Sequence, residues 1–580
     1  MQEFQTLTLP DLLVIAAYFA VIIGIGYYFS SYVKQAKDYF AAGNIMPWWL
    51  AGTSFYMASH SALLFVIYSE IAYVYGIIAV VINWILPLCI LPAGYFVAHR
   101  WRRARVLTPL GFLERRYNGS LQQAFVWTGF PLRLFDDALK IFSTAIVVMV
   151  AFRGFGISIV QFMIIVGAIM IAYSFMGGQM TVMITDFVQA TIKFVGVILL
   201  FILTLAQVGD LGELVAKLPP EFLNPVRLPY GWSYLIFTVF LITLLNYSAN
   251  WALVQKFNTV RSERDARKMI YLIAFLMFVS PPIFFFPALA ARVLLPDLAN
   301  TKEVYAAIAM KVLPVGMMGV ILAALLSATM ATLGSEFNTL SGILTRDFYK
   351  KKINPGISEK SQVFLGRVFT VIIGSVIVLL AILLNALQGL NLMDIMFRFF
   401  AAFGPAIMIP LIFGLLFSKF NARGAAFGLI AGSVSGVVLV LANFALVQLY
   451  AAQMRDNPNL DFWLRSGWNS AATVLNITVT ILAMWLGAGS RKTPADEKAR
   501  VEQFFQDMSR PFVADKSDRE VFAPFRSIGL ALASFGGAIV LISFLVLASY
   551  GGGAAFWIDF AVGAFLVGFG GILSRTRAVI

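Results

Sequence analysis

Charge is what this sequence has least of. Of 580 residues only 12% are Asp, Glu, Lys or Arg, against 60% hydrophobic, and the mean hydropathy is +0.84. A soluble domain of this length needs far more polar surface, so the composition points to a polytopic membrane protein. The single cysteine, Cys89 in WILPLCILP, excludes a disulfide framework and a cysteine-ligated metal cluster. With two histidines, His60 and His99, no HExxH motif occurs, nor does a Walker or dinucleotide-binding motif. This argues against ATP-driven transport by the chain alone. An enzyme is not expected either, because no nucleophile–base or metal constellation is present. The opening MQEFQTLTLPDLL lacks a basic n-region and a small-residue cleavage site, so the first apolar run is read as a retained span.

What is present is a long series of apolar runs. A helix crosses the hydrocarbon in about 20 residues. Fifteen spans are expected, near 9–30, 47–69, 71–98, 121–151, 155–177, 182–207, 231–252, 268–293, 313–344, 364–386, 394–418, 423–450, 466–488, 527–549 and 552–573. The net charge of +14 collects in short loops such as HRWRRARVL, QKFNTVRSERDARK, RDFYKKKINP and SRKTPADEKAR, and so reads as orientation in a membrane rather than a nucleic-acid surface. Opposite loops such as QVGDLGELVAKLPPEF are poorer in Lys and Arg. The expectation is a multi-pass protein of the inner (plasma) membrane, with its N-terminus outside and its C-terminus in the cytoplasm.

Polar residues interrupt several runs. FYMASHSALL (55–64) sets small residues around His60, and LLNYSANWAL (244–253) inserts Asn246, Tyr247, Ser248 and Asn250. LSATMATLGSEFNTLSG (326–342) carries Thr329, Thr332, Ser335, Glu336, Asn338 and Thr339. Arg133 with Asp137, Asp136 with Lys140, and Asp394 with Arg398 are spaced i,i+4, so each can pair on one helix face.

Six further stretches occur in order. They are KDYFAAGNIMPWWLAGTS (37–54), LTPLGFLERRYN (107–118), YSFMGGQMTVMITDFVQ (173–189), NWALVQKFNTVRSERDARK (250–268), NTLSGILTRDFY (338–349) and NARGAAFGLIAG (421–432). Together they resemble the motifs of the sodium/solute symporter family, which includes bacterial proline, sugar, sialic acid and pantothenate carriers. The G-G-x-x-x-V-x-x-T-D-x-x-Q element at 177–189 is the most specific. The resemblance implies an all-α fold with a leucine-transporter-type core of two five-helix inverted repeats. Residues 1–46 would then hold a peripheral span and cytoplasmic loop, 47–207 the first repeat and 208–418 the second. Additional peripheral spans would fill 419–488, a cytoplasmic loop 489–526, and two C-terminal spans and a tail 527–580. In such cores the first helix of each repeat breaks near the midplane and its freed backbone binds ions and substrate.

The same resemblance implies a sodium ion, as coupling ion rather than tightly bound cofactor, and no organic cofactor. Carried over by motif, its carbonyl ligands are Met57, His60 and Ala328, and its hydroxyl pair falls on Ala331 and Thr332. Alanine supplies no hydroxyl, so one side-chain oxygen is missing. Asp186 matches an acidic residue near the sodium exit that in some members helps hold a second ion. Substrate-facing positions become Ser59, Ser61 and Leu64, with Thr243, Asn246, Tyr247 and Asn250. Sugar-carrying relatives place a Glu–Gln pair where this chain has Leu63 and Leu64, which argues against a hexose. The expected function is sodium-coupled import of a small organic solute by alternating access. The alternatives are coupling to protons through His60 or Glu336, an uncoupled carrier, or a solute sensor. Glu336 itself has three readings: it replaces the oxygen lost at Ala331, carries a proton, or pairs with a basic residue that the sequence does not locate.

Overall fold

The computed structural model describes residues 7–31, 35–106, 108–386, 392–490, 492–512 and 524–576. The segment 387–391, part of the 489–526 loop and the last four residues of the basic tail lie outside the described residues, as does the side chain of Asp394. Among the described residues the chain is almost wholly helical and forms no strand.

A first helix, α1 (Leu9–Ser30), precedes two sets of five. The first set is a bent pair, α2 (Trp48–Ala58) and α3 (Ala62–Tyr75), then α4 (Ile78–Arg103), α5 (Gly119–Phe152), α6 (Ile159–Met176) and α7 (Gly178–Val208). The second is another bent pair, α8 (Tyr234–Ala249) and α9 (Trp251–Thr259), then α10 (Glu263–Leu294), α11 (Met317–Ile353), α12 (Glu359–Ala386) and α13 (Leu392–Leu416). Peripheral helices α14 (Ala422–Leu449) and α15 (Trp468–Gly489), a short α16 (Ala495–Ser509), and the hairpin α17 (Phe525–Tyr550) and α18 (Ala554–Arg575) complete the chain.

Twelve of these helices are long and apolar enough to cross a membrane, and the two bent pairs raise the number to fourteen. The fifteenth expected span is α5. Its 34 residues reach across a bilayer at about 1.5 Å each, but Arg133, Asp136, Asp137 and Lys140 sit at its centre. One expected boundary shifts. The second span runs on to Tyr75 instead of stopping near 69, because the chain turns at Gly76 (φ +87°). A side chain there would meet the carbonyl of Phe222. Gly178 makes the turn between α6 and α7 at φ +56°, where a Cβ would lie 2.7 Å from the carbonyl oxygen of Tyr39.

The polar run of α11 is explained by burial. Every residue from Met317 to Gly342 is buried, between α1, α2, α5, α12 and the α6–α7 pair. A helix surrounded by protein can carry hydroxyls and amides that a lipid-facing one cannot. The contrast is α14, which exposes Ile430, Val434, Val438, Leu441 and Phe444, as a lipid-facing helix must.

Candidate functional site

Both bent pairs break where the sequence is interrupted. α2 and α3 meet at 61° across Ser59–Ser61, and α8 and α9 meet at 45° at Asn250. Each break leaves helix-end amides and carbonyls that need partners inside the protein. At the second break Asn250 supplies one itself: its side chain accepts from the amide of Leu253 and donates to Asn246 Oδ1 at 2.9 Å. At the first, α11 provides them. The Thr329 hydroxyl accepts from the amide of Ala62 at 3.1 Å and lies 2.7 Å from the Thr144 hydroxyl of α5. One turn on, the Thr332 hydroxyl sits 3.0 Å from the Ala328 carbonyl and 3.4 Å from the Met57 carbonyl.

Three of the expected ion ligands, Met57, Ala328 and Thr332, are thus together. They form an oxygen-only set, the chemistry a hard monovalent cation prefers. Ala331 has no side-chain oxygen to add, and its carbonyl accepts from the Ser335 hydroxyl at 2.9 Å. The ring of His60 is engaged locally: Nδ1 donates to the Tyr56 carbonyl at 2.9 Å and lies 3.0 Å from Ser59 Oγ.

Asp186 is fully buried on α7 and has a fixed counter-charge. Lys256 of α9 donates to the Ser54 hydroxyl at 2.6 Å, Ser54 donates to Asp186 Oδ2, and the ammonium is 3.7 Å from that oxygen. Ser54 lies three residues before Met57 on α2, so this triad joins α2, α7 and α9 beside the first break. Lys193, two turns further along α7, is fully buried with no hydrogen-bond partner, its ammonium 4.8 Å from the centre of the Tyr56 ring. Neither lysine was selected by sequence reasoning. For Lys193 the signal is a lone lysine inside an apolar run, which marks a functional candidate by itself; Lys256 falls in QKFNTVRSERDARK, expected to be a basic loop, whereas the structure buries it inside α9.

A cavity of about 130 Å³ lies between the two breaks. Ser59, Ser61 and Leu64 line it from the first, and Thr243, Asn246, Tyr247 and Asn250 from the second, so all seven expected positions share one space. Leu63 is there too, as are four groups not expected: Tyr68, Asp136, Lys140 and Glu336. Met396, Phe397 and Phe400 of α13 close another side.

Of the pairs expected on one helix face, Asp136–Lys140 forms, and Arg133–Asp137 does not. Lys140 holds both aspartates, Asp137 at 2.7 Å and Asp136 at 2.9 Å. Arg133 is therefore not the partner of Asp137; it faces Glu336 of α11 at 3.6 Å. The correction has a simple cause. A lysine at i+3 and i+4 reaches both carboxylates from below, leaving the arginine free to turn towards the neighbouring helix. Glu336 thus has the basic partner that the sequence did not locate.

The sodium:solute symporter family model matches residues 39–432 of the chain. The sodium/glucose cotransporter of Vibrio parahaemolyticus is 26% identical over 462 residues, covering 73% of this chain and 84% of that protein. The sodium/sialic acid symporter NanT of Aliivibrio fischeri is 24% identical over 456 residues, covering 76% and 88%. Among solved structures, a substrate-bound, outward-open Na+-coupled sialic acid symporter superposes with a TM-score of 0.70 at 22% identity, covering 84% of this chain and 98% of that one. That likeness shows the leucine-transporter-type core.

Proposed function

The chain belongs to the sodium:solute symporter family, and on that premise we propose that it imports a small organic solute with sodium by alternating access, using the two helix breaks as its site. The observation that carries this reading is the meeting of the Thr332 hydroxyl with the Met57 and Ala328 carbonyls, beside a cavity lined from both breaks. Sodium held there ties α2 to α11. Solute in the adjoining cavity ties α3 to α8. Each raises the affinity of the other by the same factor, because a coupling free energy is reciprocal. The Lys- and Arg-rich loops support an orientation with the N-terminus outside and the C-terminus in the cytoplasm. One positive charge moving across 100 mV supplies about 2.3 kcal/mol, enough for roughly fifty-fold accumulation.

The His60 ring favours a structural role over a proton relay, since its Nδ1 hydrogen is already given to the Tyr56 carbonyl. The test is uptake of a mixed solute pool into proteoliposomes under an imposed sodium gradient. Accumulation of at least one solute is expected, abolished when the sodium gradient is collapsed and unaffected when a proton gradient is. Uptake driven by protons alone, or none under either gradient, would sink the proposal.

A further inference from the structure

The cavity wall is charged in a way that the motifs do not account for. Three acidic groups, Asp136, Asp137 and Glu336, stand with two basic ones, Arg133 and Lys140, so the cluster has one acid more than it has bases. The remaining buried charges nearby do not balance it from within the cavity. Of the cluster, Asp136, Lys140 and Glu336 line the cavity itself; Asp186 and Lys256 face each other, Lys193 lies against Tyr56, and none of these three lines it.

The excess is located at Glu336. Its contact with Arg133 is 3.6 Å, too long for a hydrogen bond. Glu336 is 97% buried by the 3% of its surface left exposed, lines the cavity, and its Oε2 has no partner. A buried carboxylate oxygen without a donor is costly, so this atom is short of an N–H. Lys140 cannot turn to supply one while it is held by both aspartates. Aromatic rings, Tyr68, Tyr247, Phe397 and Phe400, line the same cavity, and their bulk suits an apolar body. A bare metal ion would use neither the rings nor the space. The volume, about 130 Å³, is close to the roughly 150 Å³ known to take up a benzene molecule. That space suits a compact solute.

We infer that the solute of this cavity is a small protonated amine, its ammonium donating to Glu336 and facing Asp136, its apolar body lying against the aromatic wall. This rests on the reading of the cavity as the solute site. An anionic solute would add to the excess of acidic groups, and a neutral one would leave Glu336 Oε2 without a charged donor.

The experiment uses the full-length protein in nanodiscs and two matched series: isopentylamine, isopentanol and isovalerate, then benzylamine, benzyl alcohol and benzoate. Leucine serves as the zwitterionic comparison. Binding is read as a shift in thermal unfolding at graded ligand concentration. The expected result is that the amine of at least one series binds tenfold or more tightly than its alcohol and its acid. Glu336→Gln then weakens the amine at least tenfold and leaves the alcohol unchanged. Should that variant fail to fold, the order within each series in the parent protein still decides. An alcohol, an acid or leucine binding as tightly as the matching amine, or no binding by any compound, overturns the inference. Sodium alone is titrated into the same samples. Stabilisation by sodium without any preference for amines removes only the amine; no response to sodium removes the transport reading with it.

Discussion

Arg133→Ala is expected to destabilise the protein by about 3–5 kcal/mol, the usual cost of leaving one member of a buried ion pair without its partner. Glu336 is the group left behind. It is buried inside α11, and its other oxygen already lacks a donor. Replacing both residues by methionine is expected to restore most of the loss or to exceed the parent. A 3.6 Å pair without hydrogen bonds recovers little of its desolvation cost, and apolar side chains of similar size avoid that cost altogether. Thermal unfolding in one detergent, with the two single variants and the double variant, measures the coupling. If Arg133→Ala is as stable as the parent, the pair is not formed in the membrane protein.

Lys256→Ala should have a comparable effect for a related reason. It removes the ammonium from the Ser54 hydroxyl and from Asp186, whose Oδ1 has no partner to fall back on. A loss of about 3–5 kcal/mol is expected. Because the triad ties α7 of the first set of five to α9 of the second, the variant should also loosen the relation between the two sets. Lys256→Arg, which keeps the charge at this position, should retain most of the stability. Unfolding temperatures of the three proteins decide between an ion pair and mere packing. Equal losses in Ala and Arg variants would mean that shape and not charge matters there.

Much of the site was legible because it depends on local pattern. Ser59–Ser61 and Asn250 interrupt apolar runs, and a run that is interrupted by small and polar residues is where a membrane helix can afford to break. The seven cavity positions follow from those two breaks once the family's motifs set the register. Thr332 and Ala328 are four residues apart on one helix and necessarily share a face. The unread parts all depend on how helices meet. Helix spacing lets Arg133 reach Asp137, but only the packing of α5 against α11 sends it to Glu336. That Lys140 holds Asp137 as well as Asp136 is a matter of side-chain reach. The surroundings of Lys193 carry no spacing signal, because its neighbours Tyr56 and Phe284 come from other helices. The end of α3 is not legible because Gly76 lies in a continuous apolar stretch, and the close approach of Phe222 that requires a glycine there comes from a distant part of the chain. Polar groups in α11 read as an anomaly in the sequence. In the fold they are the inward surface of a helix that never meets lipid.

The central claim is that sodium sits between the first break and α11, on Met57, Ala328 and Thr332, despite the alanine at 331. Equilibrium binding of radioactive sodium to the purified protein, without any solute, tests it most directly. Saturable binding is expected in the parent, loss of at least tenfold in affinity in Thr332→Ala, and equal or tighter binding in Ala331→Ser, which restores a second hydroxyl. Sodium bound equally by all three proteins would contradict the account and move the ion elsewhere.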